Sequence, residues 1–213
     1  MQMIVITSPE FFPGEASLIN SLMSLGIDRL HLRKPGAPAE AHRQLLQEIE
    51  PRWYSRVVLH DCHELVAEYE PSLGGIHLNS RNPHARLLTA GQTVSASCHS
   101  LGELRKRLPQ LDYAFLSPIF NSISKQGYPA AYTPGDLQAA ADEGLIGSRV
   151  VALGGVDMGR IPQLAEWHFG GAAFLGDIWN RSSGSDLMRH AERLLEALKA
   201  FPPVTPDSYH FPQ

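Results

Sequence analysis

Apolar positions along the chain fall into two alternating patterns. Short aliphatic runs recur at fairly even intervals, at residues 3–7, 29–32, 56–59, 75–78, 92–96, 113–116, 149–153 and 172–175. Gly, Pro, Ser or Asp bound them, and several are apolar without alternation. That is the pattern of strands buried on both faces of a parallel sheet. Between them apolar residues return at helical spacing. Leu18, Ile19, Leu22 and Met23 form one stripe, Ala41, Leu45, Leu46 and Ile49 a second. Leu101, Leu104 and Leu108 make a third, and Leu187, Leu194, Leu195 and Leu198 a long last one. Pro38 and Pro134 stand where a first helical turn would begin, a position that tolerates proline.

Strand alternating with helix implies parallel pairing through right-handed crossovers. Eight runs with about as many helical stretches predict an α/β fold, a closed (β/α)8 TIM barrel in a single compact domain over residues 1–200. A doubly wound nucleotide fold wants G-x-G-x-x-G after the first strand, and Thr7-Ser8-Pro9-Glu10 offers nothing like it. Residues 201–213 are proline-rich and non-periodic and read as a tail. The 213 residues sit just above the floor of roughly 200 for such a barrel.

Composition narrows the partners. Hydrophobic residues at 43% and charged residues at 19% exclude a disordered chain or a coiled coil. Eighteen basic against 22 acidic residues give a net charge of −4, and Arg105-Lys106-Arg107 is the longest basic cluster. Nucleic acid and anionic membrane are therefore not expected as partners. No apolar run reaches the ~18 residues that span a bilayer, and the first residues lack a basic segment followed by a long apolar one. Cys62 and Cys98 suggest no disulfide framework, so the expected location is the cytoplasm.

In a barrel, chemistry gathers where the strands end at their C-termini. Here Arg33-Lys34 follows the second run and His60-Asp61-Cys62-His63 the third. His77 lies in the fourth, before Asn79-Ser80-Arg81-Asn82. Ser97-Cys98-His99-Ser100 follows the fifth. The sixth leads to Ser122-Ile123-Ser124-Lys125, the seventh to Gly154-Gly155, and the eighth to Gly176-Asp177. Glycines after strands seven and eight commonly hold a phosphate on backbone N–H groups. Turn geometry alone would account for Gly154-Gly155, or for Gly170-Gly171 with Gly176, taken singly, but both sets at these two strands point to phosphate. Ser122, Ser124 and Lys125, joined by Arg33 and Lys34 across the mouth, would make a second anion site; taken alone the segment reads first as a solvated loop. Asp61 suits Mg²⁺ together with phosphate oxygens, or a helix cap near His63. His60, Cys62, His63, Cys98 and His99 match no tight zinc spacing. There is no G-x-S-x-G and no P-loop.

The order Leu-Arg-Lys, His-Asp, Gly-Ile-His-Leu, Ser-Cys-His-Ser-Leu, Asp-Tyr-Ala-Phe-Leu-Ser-Pro-Ile-Phe-Asn-Ser-Ile-Ser-Lys and Val-Ala-Leu-Gly-Gly-Val resembles the thiamine-phosphate synthase/TenI family, from about Met3 to Trp179. The most specific stretch is 112–125, where the family reads D-Y-x-x-x-G-P-[IV]-F-x-T-x-T-K. The resemblance implies a transferase of thiamine biosynthesis that joins hydroxymethylpyrimidine diphosphate to a thiazole phosphate. Pyrophosphate leaves with help from Mg²⁺, and the thiazole nitrogen captures the carbocation. No organic cofactor is implied, and a homo-oligomer is compatible with it.

Carried over by position, Arg33 matches the pyrophosphate arginine. Lys34 approximates a lysine that normally comes where Pro35 stands. His31 replaces a glutamine, and His60 an asparagine that contacts the pyrimidine. Asp61 matches the first metal-binding aspartate, and Asn82 occupies the place of the second. Ser97 and His99 match an S-x-H motif. Ser122, Ser124 and Lys125 match Thr, Thr and Lys, and Gly154 and Gly155 the thiazole-phosphate glycines. Arg33, Ser97 and Lys125 are thereby the expected catalytic residues. The TenI branch, which tautomerises the thiazole, carries a histidine where Pro118 stands. A thiazole tautomerase and a weakly catalytic thiazole-phosphate-binding or regulatory barrel are the alternative activities.

Overall fold

The computed structural model describes residues 1–69, 71–84, 88–121, 130–181 and 183–202. Eight parallel strands close into one barrel in chain order. They are β1 (Gln2–Ile6), β2 (Arg29–Leu32), β3 (Val57–Leu59), β4 (Gly75–Leu78), β5 (Thr93–Cys98), β6 (Tyr113–Leu116), β7 (Val150–Ala152) and β8 (Gly171–Phe174). Closure comes from β1 on β8, with Met3 opposite Ala172 and Val5 opposite Phe174. The N-terminal amino group also donates to the Leu198 carbonyl at 3.1 Å, tying the first strand to the last helix.

The helices lie outside: α1 (Glu15–Leu25), α2 (Ala39–Glu48), α3 (Leu101–Arg107), α4 (Pro134–Asp142), α5 (Ile161–Glu166), α6 (Gly176–Trp179) and α7 (Gly184–Lys199). Their ends follow local chemistry. Gly26, at φ 109°, stops α1 in a left-handed conformation that costs glycine nothing. Thr133 and Asp136 form a capping box around Pro134, the first residue of α4. Ser183 accepts from the Asp186 N–H to start α7. The expected helical layer is thinner on one side. His63–Ala67 makes only a 3-10 turn before β4, and the described residues between β4 and β5 hold no helix, in a stretch containing Asn82, Pro83 and Gly91.

Side-chain alternation along the strands produces two cores. Facing outward, Met3, Val5, Leu30, Leu32, Leu59 and Phe174 pack with the helices in the larger one. Facing inward, Ile4, Ile6, Tyr113, Phe115, Val151 and Ala173 fill the barrel from β1 and β6–β8. On the β2–β5 side, apart from Val58 of β3, the inward, buried residues are polar instead: His31, His77 and Ser95 on the strands and His60 just after β3. The barrel interior is thus apolar on one half and hydrogen-bonding on the other.

Strand ends shift by a residue or two from the sequence expectation. Arg56 and Arg149 fall outside β3 and β7, and their guanidinium groups donate to the carbonyls of Ile27 and Met23 and of Leu111 and Leu108. β5 runs on to Cys98 because its ladder with β6 continues to Leu116.

Candidate active site at the barrel mouth

A cavity of about 780 Å³ opens at the C-terminal ends of the strands. Its floor is a stack of imidazoles. The His60 and His77 rings stack with centroids 4.2 Å apart, and His77 also leans on Phe115 at 4.9 Å. Beneath them His31 uses both nitrogens, Nδ1 to His60 Nε2 at 2.9 Å and Nε2 to the Tyr113 hydroxyl at 2.7 Å.

The network fixes the His77 tautomer. Ser95 Oγ donates its single proton to the Ile76 carbonyl, so it accepts from His77 Nδ1 at 2.9 Å. His77 Nε2 is left as an acceptor, and Ser97 Oγ donates to it at 3.0 Å. Burial holds all three imidazoles well below their ordinary pKa. His77 falls to about 3, with Arg107, His63 and Arg33 adding repulsion. The floor is polar and uncharged. The three rings bring ligand-type nitrogens within 4.8 Å of one another, yet the nitrogens of His31 and His77 are all spent on neighbours.

Cations line one side of the mouth. Arg33 follows β2 and Arg81 follows β4, and both line the cavity. Burial and Arg81 lower the Arg33 pKa while Asp61 raises it, so the three groups form one electrostatic cluster. Arg107 of α3 is held by Glu103 at 3.0 Å and by the Ser97 carbonyl at 3.2 Å. His99 is exposed at the rim and donates from Nδ1 to the Ser117 carbonyl at 3.1 Å.

Backbone lines the other side. Gly154 and Gly155 follow β7 at φ 91° and 64°, and Gly176 follows β8. A Cβ on Gly154 would stand 2.9 Å from Pro118 Cα, and one on Gly155 would overlap the Asn121 carbonyl oxygen. Glycine is therefore required for the β7 and β6 loops to approach. The N–H groups of Gly154 and Gly155 donate to no acceptor among the described residues. Asp177, next to Gly176, is paired with Arg181 at 2.8 Å, and His190 Nε2 lies 2.6 Å from its other oxygen.

The structure therefore brings Arg33, His60, Ser97, His99, Gly154, Gly155 and Gly176 to one cavity. His31 lies one layer below it. Lys34 is not brought there: it is buried with Glu15, 2.6 Å away, because an ammonium inside the protein needs a carboxylate partner. Asp61 does not cap the turn at His63, since Cys62 takes the capping position at φ 55°. Ser122, Ser124 and Lys125 lie outside the described residues. Sequence reasoning missed Arg107 and Glu103, whose helical i,i+4 spacing was the available signal, and the Asp177–His190 pair, which has none.

The Mg²⁺ expected at Asp61 does not fit this donor set. Arg81 Nε and Nη2 donate to the two Asp61 oxygens at 3.0 and 3.1 Å, and Asn82 Nδ2 adds 3.1 Å to Oδ1. Mg²⁺ takes oxygen ligands in a regular octahedron. Here both carboxylate oxygens are engaged by nitrogen donors, one of them cationic.

A closed (β/α)8 barrel whose cavity opens at the C-terminal strand ends is the class that this fold and mouth define. The family model for thiamine monophosphate synthase matches residues 3–178, and the chain belongs to that family. A solved thiamine phosphate pyrophosphorylase from Bacteroides thetaiotaomicron is 36% identical with a TM-score of 0.84, over 93% of this chain and 98% of that one. A Geobacter sulfurreducens protein provisionally named thiamine-phosphate synthase is 25% identical over 90% of this chain and 89% of its own. The Pyrococcus furiosus thiamine phosphate pyrophosphorylase, 17% identical with a TM-score of 0.71 over 94% of this chain and 96% of its own, shares the fold. No helix among the described residues is long and apolar enough to cross a membrane.

Proposed function

We propose that the protein joins a pyrimidine carried as its methylene diphosphate to a thiazole phosphate and releases pyrophosphate. One observation carries this reading: a single cavity has guanidinium groups after β2 and β4 and unpaired glycine backbone after β7, on opposite sides of an eight-strand ring. Such a mouth suits two phosphorylated substrates whose reacting ends meet over the imidazole floor. The C–O bond between methylene and diphosphate breaks with its electron pair on oxygen, and the thiazole nitrogen lone pair closes the new C–N bond. No proton moves, so the residues act by position and charge.

Arg33 and Lys125 meet the diphosphate, assisted by Ser122 and Ser124. His60 faces the pyrimidine ring and His99 closes the rim. Ser97 spends its proton on His77 and so meets the substrate as an acceptor. Gly154, Gly155 and Gly176 hold the thiazole phosphate. Pro118, at the tautomerase branch's histidine position, carries no transferable proton, which counts against that chemistry.

Calorimetry with each substrate separately tests the reading. Both should bind, and the pair together should release pyrophosphate. Binding of the thiazole phosphate with none of the pyrimidine diphosphate would instead leave a barrel that holds thiazole phosphate without joining it.

A further inference from the structure

The loop that carries Arg81 is built to hold it. Asn79 Oδ1 accepts the N–H groups of both Arg81 and Asn82, at 2.9 and 3.0 Å. The Asn79 and Asn82 backbones bond each other reciprocally, at 3.2 and 3.1 Å. Asn79 Nδ2 donates to the His60 carbonyl, tying this turn to the end of β3. The result is a guanidinium fixed on Asp61 through Nε and Nη2, with Nη1 making no contact to that carboxylate.

We propose that Arg81, clamped on Asp61, is the resident cation of the diphosphate subsite, so that this chain handles a diphosphate ester without a divalent metal ion. The inference rests on the reading of the site given above. Three observations lead to it.

First, Arg81 occupies the Asp61 oxygens that a metal would need. Second, it lines the same cavity as Arg33, so two guanidinium groups face one ligand region, and Asp61 cancels only one of them. Third, a planar guanidinium is matched to phosphate oxygens in a way that an ammonium is not, and a carboxylate behind it fixes its plane. As the methylene–oxygen bond breaks, the electron pair stays on the departing diphosphate. Arg81 and Arg33 meet that charge where a metal would otherwise do so. The carbon is closed by the thiazole nitrogen, and the balance needs no proton, oxidant or metal.

The test uses the full chain stripped of metal and kept in EDTA. Inorganic pyrophosphate should bind under these conditions, and Arg81→Gln should weaken that binding by about tenfold or more. Pyrophosphate release from the two substrates should continue in EDTA at a rate within about threefold of that with Mg²⁺. The double variant R81Q/N82D, which frees Asp61 and restores a second carboxylate, should bind pyrophosphate only when Mg²⁺ is supplied.

Wild-type turnover that stops in EDTA and returns with Mg²⁺ would overturn the inference and leave the synthase reading intact. So would pyrophosphate binding in EDTA that is equal in wild type and Arg81→Gln. Arg81-dependent binding in EDTA with no turnover under either condition would support the Arg81 site and overturn the synthase reading.

Discussion

Lys34 Nζ lies 2.6 Å from both carboxylate oxygens of Glu15, and neither side chain is more than 2% exposed. The ammonium also donates to the Glu10 carbonyl at 2.9 Å and sits over the Phe11 ring. Burial pushes the Glu15 carboxyl up and the Lys34 ammonium down, and their mutual contact opposes both shifts. The pair pins the first turn of α1 to the loop after β2.

Removing one partner strands the other in the interior. Lys34→Met should lower the unfolding free energy by about 3–5 kcal/mol, read from urea melts. The double variant K34M/E15L should recover most of that loss. It should also bind inorganic pyrophosphate within about twofold of wild type, since Lys34 does not reach the cavity. A large loss of pyrophosphate binding in the double variant would put Lys34 back in the site.

The imidazole floor makes stability depend on pH. His77 is neutral in the fold, with its pKa near 3, and protonates at about 6.5 when unfolded. The folded pKa is the lower one, so unfolding takes up a proton below pH 6.5. The stabilisation is complete above that pH and lost progressively down to about 3. For His77 by itself the loss is about 1.4 kcal/mol per unit, or roughly 2 kcal/mol between pH 6.5 and 5. Melting temperatures across this interval should fall with acid, and His77→Gln should flatten the slope. An unchanged slope would mean that His77 does not govern it.

Ser97 gives its hydroxyl proton to His77 and keeps its lone pairs for a ligand. Ser97→Ala should therefore weaken binding of the pyrimidine diphosphate by about fivefold to tenfold while changing inorganic pyrophosphate by less than about twofold. Equal losses for the two ligands would place Ser97 at the diphosphate rather than at the ring.

Gly155 permits no side chain without moving the Asn121 carbonyl, and its φ of 64° penalises any other residue. Gly155→Ala should weaken thiazole phosphate binding by about tenfold or more and pyrophosphate binding little. Lys125→Ala should do the reverse. If both variants lose the two ligands equally, the anion sites have been assigned to the wrong ends of the cavity.

The strand pattern was legible because both faces of β3, β6 and β8 are covered, which leaves dense apolar runs with no alternation to interpret. The glycines after β7 and β8 were legible because their places along the chain coincide with the two strands that carry phosphate in many barrels. Lys34 was misleading for a physical reason. Arg33 and Lys34 are adjacent, and neighbours at a strand end project to opposite sides, so only one of them could face the mouth. The Arg81–Asp61 pair spans twenty positions and two loops, and only the turn closed by Asn79 and Asn82 brings it together. Asn82 in sequence marks a missing carboxylate. It does not reveal which group took over the remaining one.

The stacked imidazoles beneath the cavity also bear on how acid inactivation should be interpreted. An acid limb in a rate profile is ordinarily assigned to a group that exchanges a proton with substrate. In this barrel the groups that resist protonation, His31, His60 and His77, are structural supports of the pocket. Loss of activity on acidification would then record the floor giving way, and its midpoint would move with temperature and denaturant as a melting transition does.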